Sequence, residues 1–238
     1  MVLRDPVSSA SHLLTALWAL YATLLLLRLT PARPGRRLAV GVFGLSMVLL
    51  YLASGTFHGV PYTRTEDPVL FRFFQKLDQS AIFLLIAGTN TPCLVVLLGG
   101  AWGKWFLGLM WGLAAIGIGC LWLVPEAPHW LVVTNYLAMG WLGGLPLFRY
   151  YRAVGWRAIN WMWLGAGLYT VGAICELSQW PVISDWPVRF GYHEVMHMFD
   201  SAATIVFFVF VVRYVVPFEA VKGPQPGRDE ESAGRAAA

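Results

Sequence analysis

Seven stretches of roughly twenty residues run almost without charge, and no other feature restricts the possible fold as strongly. A bilayer's hydrocarbon core is about 30 Å thick, which an α-helix of roughly twenty apolar residues crosses. The stretches fall at about 9–29, 38–58, 77–98, 104–124, 130–148, 159–180 and 192–216, separated by breaks rich in Pro, Gly or charge. They predict an all-α integral membrane protein. Its architecture is a seven-transmembrane helix bundle over residues 1–216, followed by a polar, structure-poor tail at 217–238. Composition agrees: 58% of residues are hydrophobic and 13% charged, against roughly 45–50% and 25% in a soluble domain. Trp102, Trp105, Trp130, Trp156, Trp161 and Trp186 sit near segment ends, where an amphipathic ring suits the headgroup region. Gly108/Gly112 and Gly140/Gly144 have the small-xxx-small spacing that permits close helix approach.

The net charge of +4 comes from basic residues in short blocks between apolar runs. There they orient the segments in a cell membrane, so no nucleic-acid partner is implied. With seven spans, one side holds Arg4, Arg64, Arg72, Lys76 and Arg189, and the other holds the remaining twelve of the 17 basic residues. That imbalance favours an extracytoplasmic N-terminus. Cys93, Cys120 and Cys175 are scattered in apolar sequence and form neither a disulfide framework nor a zinc-type pair. Arg4 is followed at once by Asp5, and no small-residue cleavage site follows the first apolar run, so no cleaved signal peptide is expected.

Ionisable residues inside spans are costly unless paired or bound to something, which makes them the informative ones. Segment 2 ends with Ser54 and His58, segment 3 opens with Asp78, and segment 7 opens with His193 and His197. Even-numbered spans end, and odd-numbered spans begin, on the same side, so these residues share one depth. His193 and His197 are four apart and therefore lie on one helical face. Three neutral imidazoles suit Zn2+ and leave a fourth position for water, the pattern of a catalytic site. Asp78 is placed to orient a ligand or accept a proton from that water, and Ser54 to bond Asp78, a ligand or the substrate. Ser54 has a structural alternative, a hydrogen bond to the carbonyl one turn back. His12 and His129 read as interfacial residues at segment ends. Glu176 reads as a supporting or cavity-facing residue, and Asp200 shares the helical face of His193.

Together with Leu77-Asp78-Gln79-Ser80-Ala81-Ile82-Phe83-Leu84-Leu85-Ile86-Ala87-Gly88-Thr89-Asn90-Thr91-Pro92 and Tyr136-Leu137-Ala138-Met139-Gly140-Trp141, the motifs Ser54-x-x-x-His58 and His193-Glu194-x-x-His197 resemble the hemolysin III family. These are bacterial relatives of the adiponectin and progestin receptors. The resemblance implies a seven-helix bundle with zinc held by His58, His193 and His197, and with Asp78 and Ser54 beside its water. The wider superfamily includes alkaline ceramidases and implies metal-dependent hydrolysis of lipid amides, with a ceramide-like membrane lipid as substrate. The chain departs from the family pattern at Gln79, where His is usual, at Asp200, where an apolar residue is usual, and over Glu176–Trp180, usually more aromatic. Receptor-type members have a cytoplasmic N-terminus, opposite to the charge count; alkaline ceramidases have the orientation the count gives.

Three readings therefore compete. The leading one is a zinc-dependent intramembrane hydrolase of a lipid amide or ester, with Asp78 as proton acceptor and Ser54 beside it. The second is an intramembrane metalloprotease, taking His193-Glu194-x-x-His197 literally with Glu194 as general base. The third is a receptor or pore-like protein in which zinc ties three helices together, Asp78 or Asp200 closing the site.

Overall fold

The computed structural model describes residues 3–61, 63, 65–124, 127–184 and 190–219. The tail from 220 on, together with Arg64, Trp186 and Arg189, lies outside the described residues. The chain forms α1 (Pro6–Leu29), α2 (Pro34–Gly59), α3 (Pro68–Pro92, continued by a π-helical turn to Leu98), α4 (Gly100–Leu123), α5 (His129–Leu142), α6 (Leu147–Ser178) and α7 (Tyr192–Phe210, continued to Val215). A small hairpin of β1 (Val182–Ser184) and β2 (Phe190–Gly191) leads into α7.

Local chemistry sets the helix starts. Pro6, Pro34 and Pro68 occupy the first helical positions, where a missing N–H costs nothing and φ is already helical. Asp67 caps α3 by accepting from Leu70 N at 2.9 Å. Within the helices, Thr15, Thr23, Thr30, Thr89 and Thr91 each donate to the carbonyl four residues back, so their hydroxyls are satisfied without water. Large apolar side chains such as Leu14, Leu17, Leu38, Trp105, Ile116 and Leu123 point outward, as a lipid-facing surface requires. The core is built around Phe43, Met47, Tyr51, Leu94, Met110, Ile159 and Phe210.

Close helix approach occurs where a side chain would not fit. A Cβ on Gly55 would meet Leu13 of α1 at 2.8 Å, which lets α1 pack tightly on the last turns of α2. Among the described residues the expected small-xxx-small contacts do not form: Gly108, Gly112 and Gly140 face no neighbour, and Gly144 meets only the backbone of Trp141.

Among the described residues, six helices are long and apolar enough to cross a membrane: those covering Pro6–Leu29, Pro34–Gly59, Pro68–Leu98, Gly100–Leu123, Leu147–Ser178 and Tyr192–Val215. This is a multi-pass, all-helical membrane protein. The fifth segment differs from the continuous span expected over 130–148. Its helix has 14 residues, about 21 Å at 1.5 Å per residue, and ends in turns across Gly143-Gly144-Leu145-Pro146. Pro146 lacks a backbone donor and disfavours helix at the residue before it, so the run breaks inside apolar sequence. The chain resumes at Leu147 and bends again at Gly155, whose φ of 76° is outside the helical range.

Candidate metal centre

Ser54 and His58 fall in the last turns of α2, and His193 and His197 in the first turns of α7. The structure brings the three imidazoles together. His58 Nε2 lies 3.3 Å from His193 Nε2 and 3.2 Å from His197 Nε2, and the latter two are 3.1 Å apart. These contacts cannot all be hydrogen bonds. A ring nitrogen either carries a proton or offers a lone pair in the same in-plane direction, never both. Among three such atoms at least one pair must match donor to donor or acceptor to acceptor. A central cation removes the conflict by taking all three lone pairs. Tetrahedral ligands 2.0–2.1 Å from zinc are about 3.3 Å from one another, close to the spacings seen. The residues therefore fit a metal, and no fourth His, Cys, Asp or Glu joins the cluster among the described residues.

The outward nitrogens fix the tautomers that ligation needs. With Nε2 unprotonated, His58 Nδ1–H donates to Asp5 Oδ2 at 2.9 Å, and His193 Nδ1–H donates to Glu176 Oε2 at 2.9 Å. A carboxylate behind a ligating imidazole holds the ring and raises its basicity. Asp5 is itself anchored, because its backbone N donates to His58 O at 3.0 Å and its carboxylate accepts from Arg4 Nε at 3.0 Å. The Arg4 guanidinium lies over the rings of Phe57 and Phe71 at 4.2 and 5.0 Å. Burial pushes the Asp5 carboxyl up, but the hydrogen bonds from His58 and Arg4 outweigh it and hold the group at about 2. Glu176 also pairs through Oε1 with Nε2 of the exposed His129 at 2.8 Å. His197 Nδ1 has no such partner; its ring packs edge-on against His12, centroids 4.0 Å apart.

The triad opens on a cavity of about 530 Å³ lined by side chains of six helices, among them Ser54, Asp78, His193, His197 and Asp200. A volume in this range suits a small-molecule ligand. Along α3 the lining runs from Gln75 to Asn90, about 22 Å at 1.5 Å per residue. Apart from the polar end near the triad its wall is mostly apolar, with Leu50, Ile82, Leu85, Val132, Met162 and Phe207. Ser54 Oγ is buried next to Asp78 and makes no well-formed hydrogen bond among the described residues, so it does not take the carbonyl bond its threonine counterparts make.

Glu194 faces elsewhere. Its Oε2 accepts from Gly191 N at 2.8 Å and its Oε1 from Ser8 Oγ at 3.3 Å, which fastens the start of α7 to α1. That is the work of a helix cap.

The family model described as "Haemolysin-III related" matches residues 2–208, a stretch that contains every residue of the centre. The chain belongs to this family. A haemolysin-3 homologue of Bacillus subtilis (strain 168) is 31% identical over 177 residues, covering 74% of this chain and 76% of its own length. The hemolysin-3 of Bacillus cereus is 33% identical over 181 residues, covering 75% and 76%.

Sequence reasoning named the three imidazoles, Asp78 and Ser54, and read Glu176 as a supporting or cavity-facing residue. It missed Asp5, and it misassigned His12, which is buried against His197 rather than interfacial. His129 is exposed as expected, but it is also tied to the centre through Glu176. The one available signal for Asp5 was a carboxylate immediately before the first helix.

Proposed function

We propose that this haemolysin III family protein is a zinc-dependent hydrolase that cleaves an amide or ester of a membrane lipid. The observation that carries the reading is the convergence of three Nε2 atoms within 3.3 Å of one another at the polar end of a long apolar cavity. Zinc held by His58, His193 and His197 would supply Lewis-acid polarisation and water activation near neutral pH. Asp78, buried and facing the same cavity, accepts the proton from the attacking water and later returns it to the leaving group. Ser54 Oγ, beside Asp78 and without a well-formed hydrogen bond among the described residues, is placed to hydrogen-bond the reacting group. Leu50, Ile82, Leu85 and Phe207 hold the lipid chain and keep bulk water away. Asp5 and Glu176 keep the Nδ1 protons of His58 and His193 in place, which leaves Nε2 for the metal.

The reading includes a seventh crossing made by α5 and the turns after it. The C-terminal end of α2 and the N-terminal end of α7 meet at the triad, so the intervening chain crosses an even number of times. Three of the six long helices, α3, α4 and α6, lie between, and α5 makes the fourth crossing. Contacts support this path: α5 begins where His129 meets Glu176, beside the triad, and ends where Gly143 packs on Asn90, near the far end of α3.

The test is hydrolysis by purified, zinc-loaded protein of a lipid panel that includes N-acyl amides and acyl esters. Release of fatty acid by wild type, lost in Asp78→Asn with zinc retained, is the expected result. Zinc-loaded protein that releases fatty acid from no lipid in the panel would refute the hydrolase reading.

A further inference from the structure

His12 is the one residue of α1 that lines the cavity, and its imidazole is 2% exposed. Neither ring nitrogen has a hydrogen-bond partner among the described residues. The hydroxyls around it on the same helix are all committed: Ser8 to Glu194, Ser9 to the Gly55 carbonyl, Ser11 to the Ser8 carbonyl and Thr15 to the Ser11 carbonyl. The nearest polar aromatic is committed as well. Tyr51 stands edge-on to His12 with centroids 5.1 Å apart, but its hydroxyl donates to Thr204 Oγ1 at 2.6 Å. On the other side His197 directs Nε2 to the triad, and its Nδ1 makes no hydrogen bond to His12 or to any other described residue. A buried polar group left without partners at the wall of a cavity calls for a partner that comes and goes.

A neutral imidazole carries one N–H donor and one lone-pair acceptor. It therefore matches a ligand group that has an acceptor oxygen beside a donor N–H or O–H, as at the junction of an acyl chain with its head group. Ser54 Oγ, also buried and without a well-formed hydrogen bond among the described residues, reaches the same cavity from α2. We propose that His12 is a substrate-contacting residue, hydrogen-bonding the polar group at the reacting end of a lipid whose chain fills the cavity. This rests on the lipid-hydrolase reading of the site. Contact with His197 gives the imidazole its location, edge-on to a ligand ring, and not a place in the metal cluster, which it does not join.

The experiment uses the full-length, zinc-loaded protein in nanodiscs and a tritiated N-dodecanoyl amino alcohol as probe. Zinc affinity, probe affinity and fatty-acid release are measured for wild type, His12→Phe and His12→Asn. Phe keeps a ring of similar size without polar atoms, and Asn restores a donor and an acceptor. The expected result is zinc affinity within about twofold of wild type for both variants, since second-sphere loss would cost 10–100-fold. Probe affinity should fall about tenfold in His12→Phe, the worth of one hydrogen bond, and recover in large part in His12→Asn. Unchanged probe affinity in His12→Phe would overturn the proposal. So would a large loss of zinc affinity, which would make His12 a support for His197 alone. Should His12→Phe not fold, His12→Ala takes its place as the apolar arm, with the same criteria. Wild type that binds the probe but releases no fatty acid would sink the hydrolase reading, while the comparison of affinities still decides the role of His12. Wild type that does not bind the probe would overturn the contact itself.

Discussion

Glu176 offers a graded perturbation of the metal centre. One carboxylate oxygen accepts from His193 Nδ1 at 2.9 Å, and the other faces His129 Nε2 at 2.8 Å. Removing the carboxylate in Glu176→Ala leaves the Nδ1–H of a mostly buried ligand without an acceptor. Loss of such a partner costs 10–100-fold in metal affinity, or about 1.4–2.7 kcal/mol. Glu176→Gln is milder for a geometric reason. The amide oxygen can still accept from His193 if the amide nitrogen turns to His129, whose exposed ring can present a lone pair. The opposite orientation would force the proton of His193 onto Nε2 and block ligation, so it is disfavoured whenever metal is bound. Gln should therefore cost less than tenfold, and His129→Ala, which leaves the His193 contact intact, about threefold or less. Competition against a chromophoric zinc chelator, with thermal unfolding followed in parallel, separates affinity from folding. A well-folded Glu176→Ala protein that binds zinc as tightly as wild type would refute the account of the outward nitrogens.

Three further outcomes follow from the same geometry. Asp5→Ala should weaken zinc binding 10–100-fold by the same chelator competition, because Asp5 stands to His58 as Glu176 does to His193. Glu194→Gln should leave zinc content and any lipid hydrolysis near wild type while lowering unfolding stability by roughly 1 kcal/mol, the scale of a lost helix cap, in a thermal melt; a larger loss of activity than in Asp78→Asn would revive the protease reading. Chelation should lower the unfolding temperature of wild type but hardly that of His197→Ala, since only a protein that binds the metal gains from it.

The apolar segments were legible because span length is set by the bilayer and needs no knowledge of neighbours. The break after Leu142 was not, because Gly143 to Pro146 sit within an apolar run whose hydropathy continues across them. The pairing of His193 with His197 followed from helical spacing, and their meeting with His58 followed from which ends of the spans share a side. Asp5 was illegible for the complementary reason. Its approach to His58 depends on how tightly α1 packs against Gly55, a tertiary fact with no sequence period. His12 was legible in part: Ser8, Ser11, His12 and Thr15 share one face of α1 at helical spacing, but that this face meets His197 is again a tertiary fact. Ser54 was correctly placed near the site, but only its neighbours could show that its hydroxyl lacks the carbonyl bond that the threonines make.

The central claim is that His58, His193 and His197 bind one metal ion through Nε2. Zinc K-edge absorption on the purified protein, combined with elemental analysis, tests it most directly. The account predicts about one zinc per chain with about three imidazole nitrogens at 2.0–2.1 Å, lost together in His58→Ala. Protein that carries no zinc, or zinc whose nitrogen shell survives the loss of His58, would contradict it.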